Sequence, residues 1–330
     1  MTSSPIFSIF TPVFNSEKHI RQCIESVIDQ TFGEFEWYIY DDGSVDKSFS
    51  ICEEYAEKDS RIILTRGKNG AFISEMNVFI DKARGRYIVF IDNDDFWDKN
   101  YLKIMFDHLK SSDFDCAISS YTYINEEGNP LNWYSPSLND GEILDGRELK
   151  SRFLTSLDIE GFRWNKIYKA HILKQSGLRL ENIFPADIPF EYDVLAYVNR
   201  AVLAASKGYY YRQSSSSEVG SINADKAAGM LNTFRNIGEK AVQDGFSIEG
   251  EYYKSWRYIN SLFSYIKNSG LSKSELRKIF FLCSWDKYVG KSLFKTIKLF
   301  DRYKNLKDGK IKFFIKIVYV WLNSVIYKGK

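Results

Sequence analysis

Short apolar blocks alternate with amphipathic stretches from the start of the chain to about residue 121. Five blocks predict β-strands, because they are rich in β-branched and aromatic residues: Phe7 to Thr11, Phe35 to Tyr40, Ile62 to Thr65, Tyr87 to Ile91 and Cys116 to Ser120. Apolar residues recur at spacings of three and four from Ile20 to Ile28, which predicts an amphipathic helix. Further helices are predicted from about Asp46 to Lys58, Ser74 to Ala83 and Asn100 to Leu109. Strands that alternate with helices are typical of an open, mostly parallel α/β sheet.

The pattern changes after residue 121. Residues 122 to 145 are rich in Asn, Gly, Pro and Ser and predict a hairpin or loop across the sheet, followed by a helix from Gly146 to Thr155. A run of four serines, Ser214 to Ser217, is followed by a helical pattern with interleaved Tyr, Phe, Trp and Lys. We therefore predict two domains: a catalytic α/β domain over residues 1–215 and a helical, basic, aromatic-rich domain over residues 216–330.

Composition and charge refine this picture. A chain of 330 residues with 44% hydrophobic residues is able to bury a full core. The four cysteines and three histidines show neither disulfide-like nor zinc-binding spacing, which indicates reduced thiols. The N-terminus lacks the pattern of a secretory signal, and no apolar run is long enough to span a bilayer, so we expect a cytoplasmic protein. Residues 251–330 carry a net charge of +13, against −11 for the rest.

An acidic cluster follows the fourth predicted strand. Asp92, Asp94 and Asp95 come directly after an apolar run and have no neighbouring cation in the sequence. Like charges a few ångströms apart repel one another by about 1 to 4 kcal/mol per pair near a protein surface, and a divalent cation compensates for this. Ligands that are all oxygen favour Mg²⁺ or Mn²⁺. The alternative is that Asp94 or Asp95 caps the helix that follows.

Two more polar clusters follow predicted strands. Residues 11–15 follow the first strand and residues 41–44, Asp-Asp-Gly-Ser, follow the second. Ligands in open α/β sheets bind beyond the carboxyl ends of the strands, so the three clusters are expected to converge. None of them is a dinucleotide fingerprint or a Walker loop. An Asx turn is the alternative reading of residues 41–44.

The ordered set of motifs resembles the family 2 glycosyltransferases. The set comprises Pro-Val-Phe-Asn at 12–15, Asp-Asp-Gly-Ser at 41–44, Asp-Asn-Asp-Asp at 92–95, Trp-Asn-Lys-Ile-Tyr-Lys at 164–169, and residues 190–195 through to 210–212. It covers roughly residues 5 to 215. The resemblance implies a GT-A fold, a Rossmann-like and mostly parallel sheet flanked by helices, and an inverting sugar transfer from a nucleotide donor.

The resemblance also implies roles for particular residues. The implied donor-binding residues are Thr11, Pro12, Asn15, Asp41, Asp42, Asn77, Asp92 and Asn93. Asp42 is expected to accept a hydrogen bond from the uracil imide beside Thr11 and Pro12, whereas Asp41 either joins it or supports the turn. Asp92 is expected at the ribose or a metal-bound water, and Asp94, with Asp92, at an Mn²⁺ or Mg²⁺ ion that bridges the diphosphate.

The catalytic base departs from the family pattern. The family supplies an Asp from a Glu-Asp pair at a helix start, and here Tyr192 stands in place of the Glu. Asp193 is the favoured base and Glu191 the alternative, unless both are simply charges near a helix N-terminus. A second departure is Met76, which replaces an Arg before Asn77.

Three residues within these motifs are candidate contacts of the acceptor or the diphosphate. Trp164 is either a platform for an acceptor sugar or part of the core, since large aromatic residues are more often buried. Lys166 and Arg212 are candidates to meet the diphosphate.

The C-terminal segment 310–328 combines lysines with a broad apolar face. Such a helix is able to lie in a bilayer interface and to bind anionic lipid, which predicts peripheral attachment to the inner face of the cell membrane. Docking on the catalytic domain or on a second subunit of a homo-oligomer explains the pattern equally well. Nucleic acid is not expected as a partner, because no binding motif is present.

These expectations converge on one hypothesis. It is a metal-dependent inverting glycosyltransferase that moves a sugar from a nucleotide donor, UDP-linked by preference, to a saccharide or lipid-linked saccharide in cell-surface polysaccharide synthesis. The rivals are a nucleotidyltransferase, for which a glycine-rich triphosphate loop is missing from the sequence, and a catalytically inactive GT-A module that binds sugar nucleotides or serves as a scaffold.

Overall fold

The computed structural model describes residues 4–133, 135–155, 158–181, 183, 185–213, 223–254, 257 and 261. The predicted membrane-binding segment 310–328 lies outside this part of the chain. Among the helices that the structure describes, none combines the length and the apolar character that crossing a bilayer requires.

An eight-stranded sheet forms the centre of the fold, with strands in the order β3-β2-β1-β4-β9-β6-β10-β8. Its strands are β1 Phe7–Val13, β2 Phe35–Asp41, β3 Ile62–Arg66, β4 Tyr87–Phe90, β6 Cys116–Ser119, β8 Ile143–Asp145, β9 Lys166–Lys169 and β10 Arg200–Ala204. Strands β3, β2, β1 and β4 are mutually parallel, as are β6 and β10, whereas β9 and β8 run antiparallel to their neighbours. The predicted open, mostly parallel α/β sheet is confirmed.

Helices follow the strands along the chain. They are α1 Ile20–Ile28, α2 Ser48–Ala56, α3 Phe72–Lys82, α4 Tyr101–Lys110, α5 Gly146–Thr155, α6 Ala170–Gln175, α7 Asp187–Val194, a 3₁₀ turn Leu195–Tyr197, and α8 Ala224–Gln243. The predicted helices among them are confirmed with small shifts at their ends. One shift has a clear cause: the carboxylate of Asp46 accepts a hydrogen bond from the N–H of Ser48, so α2 begins after Asp46.

The core lies on both faces of the sheet. Ile9 of β1 packs in the cluster that contains Ile24 of α1 and Met105 of α4. The next residue, Phe10, points the other way and contacts Phe79 of α3 with ring centroids 5.0 Å apart. Because successive side chains of a strand face opposite sides, a parallel strand covered by helices on both faces must be apolar throughout, as β1 largely is.

A small second sheet refines one prediction. Strands β5 Phe96–Trp97, β11 Tyr209–Arg212 and β7 Thr122–Ile124 form it, in the order β5-β11-β7. The hairpin or loop predicted for residues 122–145 is confirmed in part: Ile124 and Pro130 form an antiparallel bridge, and the N–H of Leu131 donates to the carbonyl oxygen of Tyr123. The two ends of the segment supply β7 to the small sheet and β8 to the large one. Both strands have three residues, too few for an alternating pattern to show in the sequence.

The chain divides into two compact units. The first contains residues 1–150, 161–182 and 186–214, and the second contains residues 151–160, 183–185 and 215–330. In the second unit Phe234 of α8 contacts Tyr253 edge-on at 6.0 Å, and a Cβ added to Gly238 would lie 2.7 Å from the carbonyl oxygen of Gly250. The domain boundary at residues 215 and 216 stays a prediction.

Candidate active site

The three polar clusters meet at the carboxyl ends of the adjacent parallel strands β2, β1 and β4. The side-chain amide of Asn93 donates to the carbonyl oxygen of Pro12 at 2.7 Å, and the hydroxyl of Ser16 donates to Asn93 Oδ1 at 2.5 Å. The N–H of Asn15 donates to Ser44 Oγ at 3.0 Å. Hydrogen bonds therefore join all three clusters, and the expected convergence is confirmed.

Asp41 builds the turn after β2. Its Oδ1 accepts the N–H of Ser44 at 3.1 Å and pairs with Arg66 Nε at 3.0 Å. Gly43 has φ +81°, and a Cβ there would lie 3.0 Å from the backbone nitrogen of Asn69, so the turn requires glycine. Within the described residues, the buried Oδ2 of Asp41 has no hydrogen-bond partner. The turn thus leaves one buried acceptor unused.

Asp42 ties the same turn to the start of α3. Its two carboxylate oxygens accept the N–H groups of Gly70 at 2.7 Å and Ala71 at 2.9 Å. The hydrogen bond expected between Asp42 and a uracil imide would have to share these oxygens. The acceptor that lacks a partner belongs to Asp41 instead.

The remaining candidates for binding the nucleotide donor are of two kinds: two are held by hydrogen bonds within the protein, and two are more accessible. Thr11 is fully buried, and its hydroxyl accepts the indole N–H of Trp37 at 3.0 Å. The side-chain amide of Asn77 exchanges two hydrogen bonds with the backbone of Leu180. Pro12 is half-buried and Asn15 is exposed with φ +48°. Pro12 and Asn15 are thus the more accessible of these four residues.

Of the three carboxylates that follow β4, that of Asp95 is hydrogen-bonded within the protein. It is buried, and it accepts the hydroxyl of Tyr209 and the backbone N–H of Arg212, both at 2.7 Å. The guanidinium of Arg212 is also buried and donates to the carbonyl oxygens of Asp94, Asn125 and Glu126 and to Gln22 Oε1. Because its donors are committed to holding the acidic loop, these contacts do not support the expected contact of Arg212 with the diphosphate, which stays a prediction.

The carboxylates of Asp92 and Asp94, in contrast to that of Asp95, are left for a ligand. Neither carboxylate accepts a hydrogen bond from another of the described residues, and both are half-buried. Burial raises the pKa of Asp94 to about 6, with a further contribution from the charge of Asp92. Burial also raises the pKa of Asp92, against the opposing charge of Arg163. The pair therefore carries a negative charge that the protein compensates incompletely.

A divalent cation fits this pair only together with a ligand. Among the described residues there is no group of three or more His, Cys, Asp or Glu side chains arranged to hold a metal. Mg²⁺ is usually bound by one or two carboxylates plus substrate phosphates, and the oxygen donors of Asp92 and Asp94 match that arrangement.

The sequence reading missed two residues of the site, Arg163 and Asp187. Arg163 lies 3.9 Å from Asp92 Oδ1 through Nη2 and 3.8 Å from Asp187 Oδ2 through Nη1. Asp187 is the first residue of α7, where the helix dipole favours an anion, and its side chain is 29% exposed. A signal was present: Pro189 is tolerated only in the first turn of a helix, which places the helix start close to Asp187.

Glu191 belongs to the same helix, α7, and its side chain lies in the core. It is fully buried, with Oε2 accepting the hydroxyl of Tyr168 at 2.5 Å and pairing with Lys166 Nζ at 3.5 Å. Burial raises its pKa, and Lys166 opposes that shift. Glu191 is therefore corrected from alternative base to a core residue that joins α7 to β9.

Lys166 is a core residue as well, which corrects its expected contact with the diphosphate. It is fully buried, and its ammonium also donates to the carbonyl oxygen of Phe162 and to Asn165 Oδ1. Lys166 thus holds both the segment that carries Arg163 and the helix that carries Asp187.

Asp193 is the last but one residue of α7 and half-buried. The structure therefore does not place it at a helix start, where the family pattern requires the base. Its role as the base stays a prediction.

Trp164 belongs to an aromatic cluster. It is 3% exposed and stacks on Tyr209 with centroids 4.4 Å apart, while Tyr211 lies at 4.6 Å and both Phe162 and Tyr121 at 4.9 Å. A sugar cannot stack on a ring that is already covered, so the platform role expected for Trp164 is corrected to core packing.

Removal of Lys166 is expected to destabilise the protein strongly. A Lys166→Met variant leaves Glu191 as a buried charge without its cation, which costs about 3–5 kcal/mol of the free energy of unfolding. The pKa of Glu191 is already raised, so the deficit should be largest at alkaline pH and should shrink as Glu191 gains a proton on acidification. Urea unfolding of Lys166→Met, Glu191→Leu and the double variant measures the coupling. Exposed Lys103→Met is the control, and additive losses in the double variant would contradict the pairing.

Neutralising Asp94 is expected to stabilise the metal-free protein at neutral pH. Its folded-state pKa of about 6 lies above the ordinary 3.8, so its contribution to stability is complete below 3.8 and is lost as pH rises through 6. Asp94→Asn should exceed the wild type by about 1–3 kcal/mol at pH 7.5 in EDTA and approach it at pH 4. Asp107→Asn is the control, because neighbouring lysines lower the pKa of Asp107. A less stable Asp94→Asn variant at pH 7.5 would refute the electrostatic account.

Comparison with known proteins agrees with this geometry. A family model described as Glycosyl transferase family 2 matches residues 8–203. Glycosyltransferase GlyA of Streptococcus pneumoniae is 27% identical over 175 residues, which are 51% of this chain and 25% of GlyA. The uncharacterized glycosyltransferase EpsJ of Bacillus subtilis is 27% identical over 217 residues, 64% of this chain and 62% of EpsJ. The chain thus covers less than two thirds of the length of either relative.

A solved structure extends the agreement to the fold. The crystal structure of Staphylococcus aureus TarS 1–349 in complex with UDP-GlcNAc superposes with a TM-score of 0.63 at 20% identity and covers 89% of each chain. The GT-A fold that the motifs imply is confirmed by this likeness. Since the family model matches more than half of its residues, the chain belongs to glycosyl transferase family 2.

Proposed function

We propose that the protein transfers a sugar from a UDP-linked donor, with inversion, to a saccharide or lipid-linked saccharide during the synthesis of a cell-surface polysaccharide. The observation that carries the proposal is the Asp92–Arg163–Asp187 arrangement. Asp92 lies at the end of a central strand and Asp187 at the start of a helix, and both contact Arg163. A donor-side carboxylate and a candidate base therefore lie beside one cation.

The donor belongs at the ends of β2, β1 and β4. The unpaired Oδ2 of Asp41 is suited to accept an N–H from a nucleobase, and Pro12 and Asn15 are the accessible residues around it. Asp42, Thr11 and Asn77 hold the walls of this pocket through the hydrogen bonds described above, and Asn93 joins two of its loops. The UDP-GlcNAc bound by TarS supports a UDP-sugar as the donor.

Asp92 and Asp94 are the residues that would hold Mn²⁺ or Mg²⁺. A divalent cation bound there stabilises, as a Lewis acid, the negative charge of the departing nucleoside diphosphate. The two carboxylates themselves are positioned by the rest of the acidic loop, which Asp95 and Arg212 anchor to β11. This anchoring holds the ligands in place before the donor arrives.

Asp187 is the residue that the geometry favours as the base. Its carboxylate accepts the proton of the acceptor hydroxyl as that oxygen attacks the anomeric carbon and the bond to the diphosphate breaks on the opposite face. Arg163 attracts the carboxylate and so orients it toward Asp92. With a base in place at Asp187, the departure at Tyr192 no longer argues for an inactive module.

The location in the cell is part of the proposal. A lipid-linked acceptor would be held at the inner face of the cell membrane, and the basic character of residues 251–330 favours contact with anionic lipid there. We therefore propose a cytoplasmic protein attached peripherally through residues 310–328.

Nucleotide binding tests the donor and the cation together. UDP titrated into the protein by calorimetry should bind about tenfold or more tightly with Mn²⁺ than with EDTA, because its phosphates and the two carboxylates share one ion. Asp94→Asn should lose this difference, and Asp107→Asn, an exposed carboxylate elsewhere, should keep it. Equal UDP affinity in Mn²⁺ and EDTA would refute the metal, and no binding of UDP or of any other nucleoside diphosphate would refute the donor site.

Two aspartates compete for the role of base. Asp187→Asn should lower kcat for UDP release from the active UDP-sugar by about 10²–10⁴-fold, since general base catalysis has this magnitude, and should leave UDP affinity nearly unchanged. Asp193→Asn should retain kcat within about threefold, an expectation that follows from its place at the end of α7. The reverse result would restore Asp193 as the base.

A further inference from the structure

Four aromatic side chains form a continuous strip on the small sheet and the segment beside it. Parallel pairing of β11 with β7 sets Tyr211 opposite Tyr123, with ring centroids 5.6 Å apart. Trp133 lies 5.5 Å beyond Tyr123, and Phe162 lies 5.8 Å from Tyr211 on the other side. Trp133, Tyr123, Tyr211 and Phe162 are named the aromatic strip.

The aromatic strip is partly accessible to solvent, and buried aromatic residues support it. Trp133 is 56% exposed, and the other three side chains are half-buried. The buried Trp164 stacks on Phe162 and contacts Tyr211, and the buried Tyr209 stacks in turn on Trp164. A large, exposed tryptophan at the end of a supported row of rings is unusual for a surface that binds nothing, because such area is normally kept from water.

One end of the aromatic strip reaches the reacting groups. Phe162 directly precedes Arg163, which contacts both Asp92 and Asp187. Tyr211 directly precedes Arg212, which holds the acidic loop. Burial and then the charges of Asp95 and Asp92 raise the pKa of Tyr211, in keeping with its closeness to these carboxylates. A molecule lying on the strip would therefore end beside the candidate base.

Phe162, at one end of the aromatic strip, lies beyond the proposed donor pocket along the large sheet. The donor pocket uses the ends of β2, β1 and β4, whereas Phe162 and Arg163 precede β9, the next strand beyond β4. An inverting transfer needs the acceptor hydroxyl to approach the anomeric carbon from the face away from the leaving diphosphate. The strand order thus leaves the side of β9, where Phe162 lies, for the approach of an acceptor.

We propose that the aromatic strip binds the acceptor as a saccharide chain, with successive sugar rings stacked on Phe162, Tyr211, Tyr123 and Trp133. This inference rests on the proposed glycosyltransferase function. Sugars present apolar C–H faces and polar edges, and a row of Trp and Tyr rings offers the same combination of flat apolar faces and polar tips. The hydroxyl of Tyr123 lies 3.2 Å from that of Tyr121, so polar groups border the row. The sugar nearest Phe162 presents its hydroxyl to Asp187.

Acceptor kinetics test the strip. UDP release from the active UDP-sugar is measured with and without chito-, cello- and malto-oligosaccharides of increasing length, for wild type, Trp133→Ala, Trp133→Phe and Tyr197→Ala. Tyr197 is the matched control, being a 46% exposed aromatic residue on the 3₁₀ turn. Trp133→Ala should raise the half-saturating concentration of the stimulating oligosaccharide about two- to tenfold, the range expected for one lost ring contact. Trp133→Phe should recover part of the loss.

UDP release in the absence of acceptor distinguishes a failure of the aromatic strip proposal from a failure of the proposed function. Trp133→Ala should match the wild type in melting temperature and in KM for the donor, and Tyr197→Ala should match it in these two quantities and in basal hydrolysis. Unchanged acceptor saturation in Trp133→Ala, an equal loss in Tyr197→Ala, or no stimulation by any oligosaccharide despite intact basal hydrolysis would overturn the aromatic strip as the acceptor site. No donor-dependent UDP release in the wild type would instead refute the proposed function.

Discussion

The concentration of negative charge at the end of β4 is the constraint on which the site depends. Three carboxylates within four residues repel one another, and burial strengthens the repulsion, since charged forms lose solvation. The fold resolves this unequally. Asp95 receives two hydrogen bonds and becomes part of the framework, whereas Asp92 and Asp94 receive none from other described residues. Stability is thus given up at two carboxylates that a ligand is able to neutralise.

Two arginines show how the same residue type serves opposite purposes. Arg212 is buried, and its donors are engaged by oxygens of three separate segments, so it fixes the shape of the acidic loop. Arg163 makes only long ion pairs of 3.8 and 3.9 Å, and its Nε has no hydrogen-bond partner in the described part of the chain. Arg163 is therefore able to change partners when a charged substrate enters, because its hydrogen-bonding capacity is incompletely used. Arg212 is held by its hydrogen bonds and is not able to change partners in this way.

The sequence predicts the large sheet well, because its strands are buried on both faces and appear as continuous apolar blocks. It also predicts the turn after β2, because the Asp-Asp-Gly-Ser motif supplies a glycine, Gly43, at the position that requires a positive φ. It fails where exposure decides the role: Trp164 and Lys166 look suited to bind ligands, yet packing covers both completely or nearly so. Motif spacing favours Asp193 as the base, whereas Pro189 places the start of α7 close to Asp187.

Two buried polar atoms of the site have no hydrogen-bond partner among the described residues. The acceptor Oδ2 of Asp41 lies at the end of β2, and the donor Nε of Arg163 lies beside β4 and β9. An unmade hydrogen bond at a buried group costs about 1–3 kcal/mol, so both atoms favour a ligand that supplies the missing partner. A nucleotide sugar offers the two complements in one molecule: N–H groups on its base and anionic oxygens on its diphosphate.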